Sequence, residues 1–389
     1  MVCYDVVIIG GGINGMTAAC ALFQQGFKVA LLEKDNISKK IHNTRDGRGI
    51  SIARYSKDIL SKYDIWPYVA KDVGEMHKII VRDGDSSCNL EFDNSLVNNE
   101  PLGFLIESDN ILKGLYKKLS NTSVDIFEEH ECKNLVFHTD SVQIILSNNK
   151  KLESKLAIVT NGKNSQIRSL LGLSQNIKEY NQTALVFNIR HSKPHANCAY
   201  ECFLKNGPFA LLPLADPNQS SVVWCDNKDI EEIKLDLKDL ERHLQTRCSS
   251  IYGDVKVITE VVKFPLSLTY MDEYYKNRAV FVGDSLHSIH PVAGQGYNLS
   301  IRDINTLVEL LLKYQSLGFD IGSEMLLKEF TRHRKKDNLI MIKATDGLNS
   351  LFSNDNSVMQ FFRRFGLVAV NNMPSLKKFF MNRAMGYNK

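Results

Sequence analysis

Tryptophan occurs twice in the 389 residues and proline nine times. With so little proline, no Pro-rich linker or low-complexity tether divides the chain, and no internal repeat is visible. The eight cysteines (Cys3, Cys20, Cys88, Cys132, Cys198, Cys202, Cys225 and Cys248) form no disulfide framework, so they read as reduced thiols of a cytosolic protein. Cys198 and Cys202, with His191 and His195 nearby, come nearest to a zinc motif. A second cysteine pair is missing, however, and the segment reads as strand and loop, so no metal site is expected. A run long and apolar enough to span a bilayer is missing too. Val6 to Phe23 comes closest, but Asp5 stands where a signal peptide is basic and four glycines interrupt the run. No Ser/His/Asp arrangement and no close carboxylate pair stands out, so no side chain is nominated as catalytic acid, base or nucleophile.

What is present suits a folded enzyme. A hydrophobic fraction of 43% and a charged fraction of 24% are ordinary for a globular chain. Its length calls for two packed lobes rather than one core. Charge is uneven: residues 331–389 carry a balance of +8 and residues 1–330 a balance of −4. The basic tail also holds Phe361, Phe362, Phe365, Leu367, Val368, Phe379, Phe380 and Met381, beside Arg363, Arg364, Lys377 and Lys378. Such a helical tail suits an anionic membrane surface, or it caps the body with its apolar face; one helix can do both. Nucleic acid fits poorly, because no binding motif or stacking platform accompanies the charge.

Two glycine-rich runs carry the chemistry. Tyr4 to Ile9 is a compact apolar strand, followed by Gly10, Gly12 and Gly15 in a GxGxxG turn, a helix from Met16 to Gln24, and a second strand from Val29 to Leu32 ending in Glu33. In such a unit Gly10 makes the turn, Gly12 lets backbone approach a pyrophosphate, and Gly15 lets the helix pack on the strand. Glu33 stands where an acid binds adenosine ribose hydroxyls. The second run, Gly283 to Asp303, follows the apolar strand Ala279 to Val282. Gly283-Asp284 leaves a carboxylate at the strand's end, and Pro291, Gly294 and Gly296 keep the backbone bare before a helix beginning near Asn298. Acid, bare turn and helix amino terminus together suit a ligand with hydroxyls and negative charge. Read alone, either run is also consistent with an ordinary strand-to-helix loop.

Between them the pattern predicts a helix over Asp109–Leu119 and strands over Val124–Phe127, Val142–Leu146 and Leu156–Thr160. It then turns strand-rich over Thr183–Ile189, Gly207–Leu214 and Ser220–Cys225, followed by a helix over Ile230–Thr246 and a strand over Val255–Phe264. Nucleotide motifs thus lie at both ends of a sheet-rich insert, so the nucleotide domain is expected to be discontinuous.

Four motifs, in order, resemble the flavoprotein aromatic hydroxylases of the p-hydroxybenzoate hydroxylase fold: GGGING with Glu33, Asp46-Gly47-Arg48 before a helix, NGKNSQIR (161–168), and GDSLHSIHPVAGQGYN (283–298). ALVFNIRHSKPH, GPFALLPL, SSVVW, FPLS, TDGLNSLFSN and PSLKKFFMNRAMG narrow the resemblance to the ubiquinone-biosynthesis hydroxylases, over essentially the whole chain. The resemblance implies an α/β protein with a Rossmann-like FAD-binding domain (residues 1–72, 102–180 and 272–335), an inserted mixed β-sheet substrate domain (73–101 and 181–271) and a basic helical segment (336–389). It places the ADP half of FAD on Gly10, Gly12, Ile13, Asn14, Gly15, Glu33 and Lys34. Arg48 would reach the ribityl-pyrophosphate region, Gly283-Asp284 would meet the ribityl hydroxyls, and Pro291 with the Gly294, Gln295, Gly296, Tyr297 and Asn298 backbone would lie along the isoalloxazine ring.

The implied activity is FAD-dependent hydroxylation of a polyprenylated phenol, with O2 as co-substrate and a flavin C4a-hydroperoxide as the oxygen donor. Hydroxylation of small soluble phenols, or a non-catalytic flavin-binding scaffold in a quinone-biosynthesis complex, are the alternatives. The family usually has Asp-Gly where this chain has Asn161-Gly162, which leaves the electron donor open between NAD(P)H and another reductant. Phe187, Phe203, Phe209, Leu211 and Leu212 are candidates for the substrate wall, or are plain sheet core. The resemblance further implies other ubiquinone-biosynthesis proteins as partners and a cytoplasmic protein, peripheral on the inner face of the membrane.

Overall fold

The computed structural model describes residues 3–43, 47–84, 86, 88–227, 236–352 and 357–387. Its first sheet holds β1 (Cys3–Ile9), β2 (Val29–Leu32), β8 (Asp125–Phe127), β9 (Cys132–Phe137), β10 (Val142–Leu146), β11 (Lys151–Val159), β18 (Tyr275–Lys276) and β19 (Ala279–Phe281). Their order is β18-β19-β11-β1-β2-β8. The central pairs β19/β11, β11/β1, β1/β2 and β2/β8 are parallel. Continuous apolar runs such as Val6-Val7-Ile8-Ile9 are what a strand covered on both faces requires, and these four are buried. The first half of β11 pairs antiparallel with β10 and its last three residues pair with β19.

The second sheet holds β5 (Lys78–Asp83), β6 (Asn89–Asp93), β12 (Asn176–His191), β13 (Cys198–Leu204), β14 (Gly207–Pro213), β15 (Gln219–Asn227), β16 (Val255–Val257), β17 (Val262–Tyr270) and β20 (His287–Ser288), in the order β20-β17-β12-β15-β14-β13-β5-β6 with β16 on β12. A third sheet, β3 (Gly49–Ala53), β7 (Gly103–Glu107) and β4 (Gly74–Met76), lies at the join. The helices are α1 (Ile13–Gln24), α2 (Ile37–Asn43), α3 (Arg54–Lys62), α4 (Trp66–Val69), α5 (Ser108–Leu119), α6 (Gln166–Leu170), α7 (Leu237–Tyr252), α8 (Gln295–Ser316), α9 (Glu324–Phe352), α10 (Ser357–Asn372) and α11 (Pro374–Ala384).

The second sheet is apolar on both faces. One carries Leu185, Phe187, Ile189, Phe209, Leu211, Val222 and Trp224 against Leu240, Leu244, Cys248 and Tyr252 of α7. The other carries Ala184, Val186, Cys225 and Leu266. It turns toward the third sheet: Asn188 donates to Glu107 Oε1 at 2.7 Å, and a side chain at Gly49 would run into Ser221.

Several elements differ from the sequence reading. Helix α7 starts at Leu237, where Asp236 caps it through the Asp239 N–H, and runs to Tyr252; residues 230–235 of the expected helix lie outside the described residues. The strand expected over 255–264 is two strands, β16 and β17, the second reaching Tyr270. Asp46 lies outside the described residues, and Arg48 leads into strand β3, with the helix following only at Arg54. The expected segment boundaries are also crossed by pairing. β12 starts at Asn176, β20 joins the second sheet from within 272–335, and β4 pairs with β7.

In the C-terminal segment, α10 is held by Arg363 and Arg364, which both engage Asp83 of β5. Helix α11 buries Met381 and Met385 with Val97 and Leu102, and leaves Phe379 52% and Phe380 43% exposed. The side chains of Phe361, Phe362 and Phe365 lie outside the described residues.

Candidate functional site: a dinucleotide cleft

Both glycine runs meet at the carboxyl end of the first sheet, the usual ligand edge of an open parallel sheet. Gly10 leaves β1 with φ 116°, and a side chain there would collide with the Asn161 backbone. A Cβ at Gly15 would lie 1.8 Å from the Gly10 carbonyl oxygen, so α1 touches its own turn. Gly12 differs: a Cβ there would meet nothing within 4 Å, as would one at Gly162 or Gly296. Close packing explains Gly10 and Gly15, whereas a side chain would find open space at Gly12 and Gly296. Helix α1 starts at Ile13, so the Ile13, Asn14 and Gly15 N–H groups form its first turn and have no acceptor within the helix.

Glu33 ends β2, is 5% exposed, and accepts hydrogen bonds from Gly11 N (2.6 Å) and Asp35 N (3.1 Å). It thereby fixes the glycine turn itself. Lys34 beside it is exposed. Thr160 Oγ1 donates to the Gly10 carbonyl at 2.9 Å and closes the turn from the β11 side.

Asp284 stands in the single turn Gly283–Ser285 after β19. Its side chain is open while protein surrounds it more widely, which places it in the wall of a cleft. Burial pushes its carboxyl up, opposed by His287, by Arg48 and by the Asn14 hydrogen bond. Asn14 therefore links the two runs, and its Oδ1 is buried without a partner. A Cβ at Gly283 would strike that same Asn14 side chain. The Arg48 guanidinium lies 5.5 Å from the ring centre of Phe264 in β17.

The second run enters its helix earlier than expected. Pro291 leads into a turn at Val292–Gly294, Gly294 takes a left-handed φ of 59° as the cap, and α8 starts at Gln295 rather than near Asn298. Asn298 is thus inside the first turns and works as a clasp. Its Oδ1 accepts from Ala53 N at 2.7 Å, and its Nδ2 donates to the carbonyls of Ser51 and Gly294, each at 3.0 Å. The Tyr297 hydroxyl is 2.8 Å from Thr17 Oγ1 of α1. Gln295 Nε2 reaches the Ala384 carbonyl at 3.4 Å. The side chains of Tyr297, Asn298 and Gln295 are therefore engaged with protein, while Gly296 between them has open space beside it.

Sequence reasoning overlooked a buried ionic network behind Asp284. Asp303 accepts from His287 Nε2 (2.6 Å), Arg334 Nε (2.7 Å) and Asn338 Nδ2 (3.3 Å). Burial alone raises its carboxyl, but His287 and Arg334 hold it down to about 2. The available signal was a charged residue inside the apolar helical stripe Leu299, Ile304, Leu307. The residues left open between substrate wall and sheet core divide between the two faces of the second sheet. Phe187, Phe209 and Leu211 lie under α7, on the face away from the cleft. Phe203 lies on the opposite face, stacked on Phe352 at 3.8 Å and clustered with Val292.

The site has the parts of a dinucleotide cradle: two helix amino termini, a bare glycine at each, an unpartnered amide oxygen and an uncovered acid. A family model described as an FAD binding domain matches residues 3–336. The chain belongs to that family. The Rhodospirillum rubrum ubiquinone hydroxylase UbiL is 33% identical, the match covering 98% of this chain and 89% of the relative. The mitochondrial ubiquinone biosynthesis monooxygenase COQ6 of Danio rerio is 30% identical over 96% of this chain and 88% of the relative. In fold, the chain is similar to p-nitrophenol 4-monooxygenase PnpA from Pseudomonas putida, with a TM-score of 0.82 at 16% identity over all of both chains. This flavoprotein is thus an FAD-dependent aromatic hydroxylase, and its cofactor is FAD.

Proposed function

We propose that this flavoprotein hydroxylates the ring of a polyprenylated phenol in ubiquinone biosynthesis, and that its two glycine runs hold the cofactor in separate halves. The observation that carries the reading is the Asn14–Asp284 contact, which brings residues 10–33 and 283–298 into one cleft below the inner face of the second sheet. In it, Gly12 and the α1 amino terminus take the pyrophosphate, Glu33 with Lys34 borders the adenosine ribose, and Asp284 with Arg48 holds the ribityl-phosphate region. Pro291 and the Gly294–Asn298 backbone support the flavin ring, and the α8 amino terminus stabilises negative charge on it.

Bound FAD, once reduced, activates O2 for transfer of one oxygen to the ring. The chain's residues bind, orient and keep water out. Phe203, Phe352 and Val292 seal one end of the space between sheet and α8. Asn161 stands two residues after β11, its backbone against Gly10 and its Oδ1 buried without a partner; the electron donor is NAD(P)H or another reductant. Division of the chain into FAD, sheet and basic helical segments follows the same reading, with β20 the strand that stitches the first two together.

Among the described residues no helix is long and apolar enough to cross a membrane. The exposed Phe379 and Phe380 of α11, beside Lys378, support surface binding that would serve the delivery of an insoluble substrate. Cells lacking the protein should accumulate a polyprenylated intermediate short of one ring hydroxyl, seen by mass spectrometry of extracted quinones. An unchanged quinone profile in cells with no second hydroxylase would refute the reading.

A further inference from the structure

The inner face of the second sheet carries two carboxylates outside the cofactor site, Asp83 and Glu201, and only Asp83 is paired among the described residues. In β13, Tyr200, Cys202 and Leu204 pack with the α7 cluster, so the alternate residues Glu201 and Phe203 point to the other side. Phe203 on that side meets Val292, from the turn before α8, and Phe352 of α9. Glu201 lies between Ala210 of β14 and Val81 of β5 in register. Close by is Cys225 of β15, whose thiol is pushed up by burial and then by the Glu201 and Asp226 carboxylates. Cys225 belongs to the apolar patch of Ala184, Val186 and Leu266, against which Phe264 packs. Phe264 in turn lies under Arg48, whose charge reaches Asp284. One continuous surface therefore runs from Glu201 to the cofactor's acid.

Glu201 is only partly exposed, and it has no hydrogen bond or ion pair among the described residues. Arg363 and Arg364 of α10 reach this face at Asp83 of β5, in register with Phe203, and both engage that carboxylate. An acceptor set in an apolar wall with no protein donor is costly unless a ligand supplies the hydrogen.

We propose that Glu201 receives the substrate's ring hydroxyl, orienting the ring over the flavin and drawing the proton from it. The assignment rests on the hydroxylase reading above. The carboxylate accepts the phenol's O–H; as that bond breaks the proton passes to Glu201 and the electron pair stays on the ring oxygen, which makes the ring a better nucleophile toward an electrophilic oxygen. When the product leaves, the proton returns to its oxygen. Burial pushes the Glu201 carboxyl up to about 7, so the accepting form is gained as pH rises through neutrality.

The test uses full-length, FAD-loaded protein with Glu201→Gln and Glu201→Leu variants, with FAD stoichiometry and circular dichroism checked for each. A short-chain 2-alkylphenol, which stays neutral across the range, is titrated and its binding read from the flavin absorbance change. Wild-type affinity should rise between about pH 6 and about pH 8. Glu201→Gln should bind with a flat pH profile, and Glu201→Leu about ten- to a hundredfold more weakly at every pH. Should the leucine variant fail to fold, the isosteric glutamine profile still decides. If wild-type protein binds FAD and phenol, and neither pH nor either substitution alters the affinity, the Glu201 assignment is overturned alone. If FAD-loaded wild-type protein takes up no phenol, the hydroxylase reading falls and takes this one with it.

Discussion

Asp284 carries a carboxylate that burial makes costly and that Arg48, His287 and Asn14 only partly relieve. A cofactor hydroxyl donating to it would complete that compensation. Asp284→Ala should therefore release most of the bound FAD, with affinity weakened about ten- to a hundredfold or more. Flavin absorbance after gel filtration measures this, and stoichiometric flavin in the variant would remove the assignment. At this scale the sequence was legible where one residue type has one physical job. Gly10 and Gly15 are required by sub-3 Å approaches, whereas a side chain at Gly12 would find open space. It was not legible where a side chain's direction decides the role. Tyr297 and Asn298 look like ligand residues in a glycine-rich run, yet their polar atoms are spent on Thr17, Ala53 and Ser51. Glu201 attracted no notice, because only sheet register places it on the cleft side.

Among elements, α1 and α8 begin at the two glycine runs, and α11 leaves apolar side chains exposed. The start of α8 was misjudged by three residues, because the left-handed conformation of Gly294 caps the helix there and residue preference alone does not announce it. Strand alternation left Phe209 and Leu211 open between channel wall and sheet core. Phe209 and Leu211 are as apolar as a channel wall should be, but α7 covers the face they occupy. In α11 the packing of the tail on the body is seen, and surface binding is proposed from the face left open. Met381 and Met385 pack on the body, while Phe379 and Phe380 stand out beside Lys378 and Arg383. Replacing Lys378 and Arg383 with glutamate should cut the fraction bound to vesicles containing anionic lipid, by about 1 kcal/mol for each cation lost, and leave FAD content unchanged. An unchanged bound fraction in a flotation assay would leave α11 as a cap alone.

For the whole molecule, the chain returns twice to the same edge of the first sheet, and that return is the function. Local pattern revealed both βα units, because each needs only a buried strand, a bare turn and a helix. Which strands pair across the chain depends on contacts far apart in sequence. Hence β20 on β17, β5 beside β13 and the Asp303–Arg334 network were not legible. That network has a physical role: it buries a charge where α8, α9 and the strand after Asp284 converge, and neutralises it from two sides, so the second half of the site is braced from behind.

The central claim is that the cleft so assembled delivers one oxygen atom from O2 to a phenol ring. Reduced, FAD-loaded protein mixed with a prenylated phenol under 18O2 tests it most directly, the product being weighed by mass spectrometry. The expected result is a ring product carrying one labelled oxygen. Recovery of unlabelled, unmodified phenol from protein that holds stoichiometric FAD and consumes O2 would contradict it.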